Sequence, residues 1–239
     1  MKNAMLWVAG IFFSLTAAAQ EGTAITPSAH KVKEERNTGT FEKLKVDGPF
    51  EVILTEDTTQ KLTLQGADNL LSLIETSTEN NTLSVVLKKG YKVAPSKHSK
   101  ITVRIPYSQL TEIHLVGSGS ITSKNTIRNK VRFLLDGAGS LNFDVYNHDT
   151  EVAVIGSGTV SVQGTTGNLY CKLTGSGSIR TAGVDCLTAD VQLTGSGNIK
   201  VASTQSIKGR LDGSGTIAFG GQPGGQDLMR TGNGTFSVF

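Results

Sequence analysis

The sequence predicts an all-β fold, a β-helix (solenoid) of coils about 19 residues long. Three observations predict it: a recurring Gly-x-Gly triplet, its near-constant period, and apolar residues alternating on either side of it. The triplets begin at Gly117, Gly137, Gly156, Gly175, Gly195, Gly213 and Gly232, in steps of 20, 19, 19, 20, 18 and 19 residues. A fixed period of this size marks a solenoid, in which each repeat buries its apolar face against its neighbours only.

The flanking residues choose the kind of solenoid. Four residues before the first glycine stand Ile113, Phe133, Val152, Cys171, Val191, Gly209 and Leu228, and two before it stand Leu115, Leu135, Val154, Leu173, Leu193, Leu211 and Arg230. Four after it come Ile121, Leu141, Val160, Ile179, Ile199, Ile217 and Phe236, and six after it Ser123, Phe143, Val162, Thr181, Val201, Phe219 and Val238. Apolar and polar residues alternate with period 2, the pattern of half-buried strands and not of a helix. The triplet then reads as a corner between two strands, where a β-carbon would clash with the next coil. Its small middle residue is expected to stack in a column and hydrogen-bond sideways. Further corners are expected at Gln163–Asn168 and Ala202–Gln205.

Upstream, setting Gly48 as the corner places Leu44, Val46, Val52 and Leu54 on the inward columns. Residues 41–115 are accordingly expected to form irregular coils, between three and four periods of them, ahead of the regular coils of 116–239. Apolar runs at Lys61–Leu64, Thr82–Leu87 and Ile101–Ile105 supply their strands, with a turn at Glu79–Asn81. Residues 1–19 carry Lys2, an apolar run and Ala17-Ala18-Ala19. This is the pattern of a secretory signal peptide cut before Gln20. Its apolar run is too short for a transmembrane segment, and no other segment comes near one. The polar segment 20–40 is expected to be a flexible mature N-terminus.

Composition narrows the function classes. Without Lys2 the chain holds 22 basic and 20 acidic residues, a balance that argues against a nucleic-acid partner. Cys171 and Cys186 are the only cysteines; Cys171 falls in an inward column, and the two do not share one, so a bridge is not favoured. His30, His98, His114 and His148 show no ligand spacing. The triplets lack the third glycine of a dinucleotide fingerprint, and no G-x-S-x-G elbow or H-E-x-x-H is present. The residue after each triplet is Ser, Thr or Asn, not the Asp of a calcium-binding β-roll. No catalytic, metal-binding or cofactor-binding residue is therefore assigned, and no cofactor is expected.

One outward column holds charge. Five residues before each triplet lie Glu112, Arg132, Glu151, Tyr170, Asp190, Lys208 and Asp227. Glu112 and Glu151, two coils apart, stand about 9.5 Å from each other at the ordinary strand spacing, the upper limit for an inverting glycosidase pair. Arg132 between them favours a cross-strand charge ladder instead.

The leader, the run Pro106–Ile113 and the repeated G-S-G-[ST]-[IV] corners resemble the head GIN domain family of auto-transporter adhesins. The resemblance covers roughly residues 41–239. It implies a right-handed, single-stranded β-helix and export to the periplasm or cell surface, and it supplies no catalytic residues. Two functions follow as expectations. The first is a non-enzymatic, adhesin-like binding or scaffold module of the cell envelope, with a glycan or an envelope protein as partner. The alternative is a polysaccharide-processing β-helix enzyme, a lyase or hydrolase. Against the enzyme, the sole tryptophan, Trp7, lies in the leader; a cluster of acids and bases on adjacent coils of one face would favour it. The last strand, Thr235–Phe239, is expected to be an open edge through which copies self-associate.

Overall fold

In the computed structural model, which describes residues 22–239, the chain winds into a β-solenoid with two parallel strand stacks meeting at the glycine corners. The expected leader, residues 1–19, lies outside the described residues. Before the corner, strands Glu112–Gly117 and Val131–Gly137 stack on the trailing parts of Ser140–Gly156, Thr159–Gly175 and Ser178–Gly195. Ser206–Gly213 and Gly225–Thr231 continue that stack. After the corner, Ser120–Ser123 stacks on the leading parts of the same three long strands, followed by Asn198–Ala202, Thr216–Gly220 and Thr235–Val238. Pairing is in register from triplet to triplet, Gly137 on Gly156 and Gly156 on Gly175. The three long strands pass through the expected second corner unbroken, and in Thr159–Gly175 that stretch holds Gly164 at φ 111°.

The corner shows why two glycines are needed. At Gly156 φ is 112°, which residues with a side chain rarely tolerate, and a β-carbon there would lie 2.6 Å from the Gly137 carbonyl oxygen. At Gly158 the obstacle is packing alone: a β-carbon would meet Gly139 O and Leu135 Cδ2, each at 2.6 Å. The stacking itself is carried by the backbone. Ser157 and Gly158 both donate their N–H to Gly137 O, at 3.0 and 2.9 Å, and Thr159 donates to Gly139 O at 3.0 Å. The middle serines were expected to hydrogen-bond sideways through their hydroxyls. Among the described residues none of them does: Ser118 and its successors point out of the corner, and the main chain already satisfies the ladder.

The inward columns form one continuous core. Ile113, Phe133, Val152, Cys171 and Val191 are buried, as are Leu115, Val154, Leu173, Ile121, Val160 and Ile199. Each such side chain contributes roughly 1.5–3 kcal/mol when fully buried. Phe133 and Phe143 stack inside with ring centroids 4.6 Å apart. Thr181, fully buried, donates its hydroxyl to the Lys200 carbonyl at 3.1 Å, so its polar atom is satisfied. Gly209 is no gap in its column, because a β-carbon there would lie 2.7 Å from Phe236 and 2.8 Å from Leu228. Arg230, the other break in the pattern, turns out of the core to the Gly234 carbonyl at 2.9 Å.

The N-terminal half departs from the expected run of successive coils. The Gly48 coil is present, with Leu44, Val46, Val52 and Leu54 buried. Its strands Lys43–Asp47 and Phe50–Glu56, however, pair directly with Glu112–Gly117 and Ser120–Ser123. The chain between them folds back over the outer side. Strands Thr82–Leu87 and Ile101–Tyr107 make one more coil beyond the Gly48 coil. Antiparallel strands Ile74–Glu79 and Lys61–Ala67 then flank that coil. Segment 20–40, expected to be flexible, is also built in from Thr23 onward. Lys31–Asn37 pairs antiparallel with Lys61–Ala67, and Thr23–Ile25 pairs parallel with Tyr91–Val93. The reason is edge protection: the antiparallel strands cover the open side of the first coil. Arg36 fastens the cap by donating to the carbonyls of Ile74 and Leu71, at 2.5 and 3.1 Å.

Candidate functional site

The outward column predicted from sequence is aligned by the ladder as expected. Glu112 pairs with Arg132, Arg132 with Glu151, Glu151 with Tyr170, Tyr170 with Asp190, and Asp190 with Lys208. Its charges meet across coils. Arg132 Nη2 lies 2.8 Å from Glu151 Oε1, and Lys208 Nζ lies 3.7 Å from Asp190 Oδ2. The hydrogen bond from Arg132 to Glu151 pushes the guanidinium pKa up, with Glu112 adding to it. Glu112 and Glu151 are thus separated by a cation that contacts one of them directly. This is the geometry of a charge ladder.

Tyr170 marks a different feature. Its side chain is 48% exposed in the middle of a groove of about 420 Å³. Glu151 and Asp190 flank it on the coils to either side. Two adjoining rows of outward residues complete the walls: Lys130 and Asp149 on one side, Lys172 and Gln192 on the other. Asp149 accepts from Asn168 Nδ2 at 2.8 Å, and Asn168 Oδ1 accepts from Thr188 at 2.8 Å, which makes that wall a rigid polar ladder. The Asn168 amide, helped by His148 and Lys130, holds the Asp149 carboxyl below the usual carboxylate range. Thr150 and Thr166, both buried, donate to Asn147 Oδ1 just behind it, at 2.9 and 2.7 Å.

The groove therefore has one half-exposed aromatic ring, three carboxylates and two lysines on adjacent coils of one face. Asp149, Glu151 and Asp190 each have a cation within 4.0 Å. Asp190 differs in one respect: its Oδ1 is buried with no hydrogen-bond partner. Sequence reasoning found Glu151, Tyr170 and Asp190 as members of one column but did not join them to Asp149, Lys172 and Gln192. The same frame held the signal, since those residues fall seven and three positions before their triplets. Of the other tyrosines, Tyr107 is buried, and Tyr146 lies exposed elsewhere with Arg128 Cζ 5.8 Å from its ring centroid.

Both cysteines are free and buried. Burial pushes the Cys171 thiol up to about 12 and that of Cys186 up to about 11. Cys186 donates to the Ala202 carbonyl at 3.0 Å. These are core thiols without nucleophilic character.

Residues 40–223 match the family described as putative auto-transporter adhesin, head GIN domain. The chain belongs to that family. Its fold recurs in solved structures. A putative adhesin from Bacteroides fragilis superposes with a TM-score of 0.84 at 24% identity, over 90% of this chain and 100% of that one. A putative lipid binding protein from Parabacteroides distasonis gives 0.72 at 19% identity, over 91% of this chain and 100% of that one. A putative adhesin from Parabacteroides merdae gives 0.69 at 17%, over 91% and 99%. At these identities the likeness concerns the fold. No protein of curated function matches the chain. The family is adhesin-like and implies an exported or surface protein. Among the described residues no helix is long and apolar enough to cross a membrane.

Proposed function

We propose that this protein is an exported, non-enzymatic, adhesin-like module of the cell envelope, acting in the periplasm or at the cell surface. Its rigid solenoid presents outward side chains to a glycan or an envelope protein. The observation that carries this reading is the state of the outward acids: each carboxylate of the groove is already engaged by a cation. A general acid–base pair needs two groups whose environments drive their proton affinities apart, and ion pairing of every acid works against that. The signal-peptide pattern of residues 1–19 supports export. In the same reading, the exposed Met229, Val238 and Phe239 on the final rungs support self-association through strand Thr235–Val238. Sedimentation of a chain truncated before Thr235 tests it; an unchanged oligomeric state removes the idea.

A second reading keeps one specific support. Acids and bases do cluster on adjacent coils around Tyr170, the arrangement expected of a polysaccharide-processing β-helix. The deciding experiment exposes the chain from Gln20 onward to an array of glycans and purified envelope proteins, with product release assayed on every glycan hit. Saturable binding without turnover supports the binding module. New reducing ends or unsaturated products overturn it in favour of the enzyme.

A further inference from the structure

Resting on the binding-module reading, we infer that the Tyr170 groove is a binding site for an uncharged saccharide chain. Three properties of the groove point to that ligand class. First, it lies on the face of a parallel sheet whose backbone groups are all committed to neighbouring coils, Glu151 on Tyr170 and Tyr170 on Asp190. No strand edge is offered there, so a peptide could not dock by main-chain pairing and recognition must come from side chains. Second, every carboxylate of the groove is already answered. Lys130, Arg132 and Lys208 each answer one carboxylate. A cationic ligand would have to break one of these pairs to reach a carboxylate, and an anionic one would find only Lys172 without an acid partner, whereas a neutral ligand leaves every pair standing.

Third, the groups left over are those that a polyol needs. Tyr170 gives a half-exposed flat apolar ring for the C–H face of a sugar. Asp190 keeps part of its carboxylate exposed on the wall, and its Oδ2, 3.7 Å from Lys208 Nζ, can also accept from a ligand hydroxyl. Lys172 supplies donors and Gln192 supplies both donor and acceptor on the neighbouring row. The coil spacing sets the length: from Glu151 past Tyr170 to Asp190 is two strand spacings, about 9.5 Å. That is room for roughly two sugar residues along the solenoid axis, with the middle of the site on the ring.

The test is titration calorimetry of the chain from Gln20 onward with neutral oligosaccharides of glucose, mannose and N-acetylglucosamine. Polygalacturonate and chitosan fragments serve as anionic and cationic comparators. Tyrosine fluorescence provides a second readout, since Trp7 lies ahead of Gln20. At least one neutral set is expected to bind saturably, with an affinity that changes by less than about twofold as salt is raised. Tyr170→Ala is expected to weaken that binding by about tenfold or more, equivalent to roughly 1.4 kcal/mol. Tyr170→Phe should retain most of it, and Gln192→Ala should weaken it, while Tyr146→Ala should leave it unchanged. An unaltered melting temperature for Tyr170→Ala separates loss of binding from loss of fold. Absence of binding by every neutral set up to millimolar concentration overturns the inference, as does binding that Tyr170→Ala leaves intact. Salt-sensitive binding of a charged fragment alone overturns the assignment to an uncharged chain while leaving the binding module standing. Cleavage of a bound chain overturns the binding module itself.

Discussion

The two ends of this solenoid are held together by different means. From Gly117 to Gly195 coil after coil repeats the same solution: a glycine corner, a backbone carbonyl that accepts two N–H groups from the next coil, and inward columns of mostly aliphatic side chains. Ahead of it, the cap is made of pairings that occur once. A coil at Gly48 is sandwiched between chain that follows it by some way in sequence, antiparallel strands cover the outside, and Arg36 ties the two. The difference teaches where stability is local. In the regular coils a defect is felt by both neighbours, because each coil's only partners are the coils above and below. In the cap a defect disturbs one contact.

The sharpest way to break the regular stack is to place a charge in its core. Leu173 is fully buried between Val154 and Leu193 in one column. Leu173→Asp should cost at least about 4 kcal/mol, since the carboxylate would be buried without a partner. Chemical denaturation followed by circular dichroism should show an unfolded or partly unfolded chain. A native-like transition midpoint would mean that the column is less tightly packed than the burial indicates.

The next comparison uses one substitution in both regions. Gly156→Ala puts a methyl 2.6 Å from the Gly137 carbonyl at a φ of 112°. Gly39, in the cap, sits at φ 65°, and a methyl added there would have nothing within 4 Å. Gly156→Ala should therefore cost about 3 kcal/mol or more, combining strain with a clash against main chain that cannot move alone. Gly39→Ala should cost only the left-handed backbone penalty, roughly 1–2 kcal/mol. Equal losses in the denaturation midpoint would show that conformation, and not coil stacking, dictates the corner glycine.

This pair also explains what was legible in the sequence. The corner sterics recur in every regular coil, so the glycines, the inward columns and the outward charge column could be read directly. The Gly48 coil could be read too, because Leu44, Val46, Val52 and Leu54 obey the same alternation. Its neighbour could not: the register that sets Glu112 on Lys43 depends on long-range pairing, and both coils carry the same pattern. Nor could the cap, since strands Lys31–Asn37 and Ile74–Glu79 pair antiparallel with partners of no fixed period. For the groove, alternation gave direction and not depth. Tyr170 was legible as outward, but the walls formed by Asp149, Lys172 and Gln192 come from adjoining rows whose closeness only the stacked geometry supplies.

The cysteines give a titration confined to the regular coils. Cys171 is held near 12 and Cys186 near 11, against an ordinary thiol value of 9.0. The sign follows from linkage. Below pH 9 both states hold the protons and nothing changes. Above it the unfolded chain ionises first, so stability falls as pH rises from about 9 toward the folded values. Thermal melts should show this alkaline loss, and Cys171→Val, which restores the residue type of its column neighbours Val152 and Val191, should reduce it. Native thiols should also resist alkylation until the chain unfolds. Rapid labelling at neutral pH would place either thiol at the surface.

The smallest effect belongs to Arg132, and its interest lies in contrast with Arg36. Both arginines join elements distant in sequence. Arg36 donates to two main-chain carbonyls of the cap from a side chain 20% exposed, whereas Arg132 reaches Glu151 from one 48% exposed. Water and salt compete for the exposed pair, and two long side chains must be ordered to make it. Arg132→Gln should therefore cost only some tenths of a kcal/mol, and less still at high salt. Arg36→Gln leaves two carbonyls to find other donors and should cost roughly 1–3 kcal/mol with little salt dependence. Denaturation of the two variants at low and high salt decides the point. Should Arg132 prove the costlier of the two, the charge ladder would be a structural tie of the stack, and the ion pairs that balance the Tyr170 groove would be fixed there for stability before they serve any ligand.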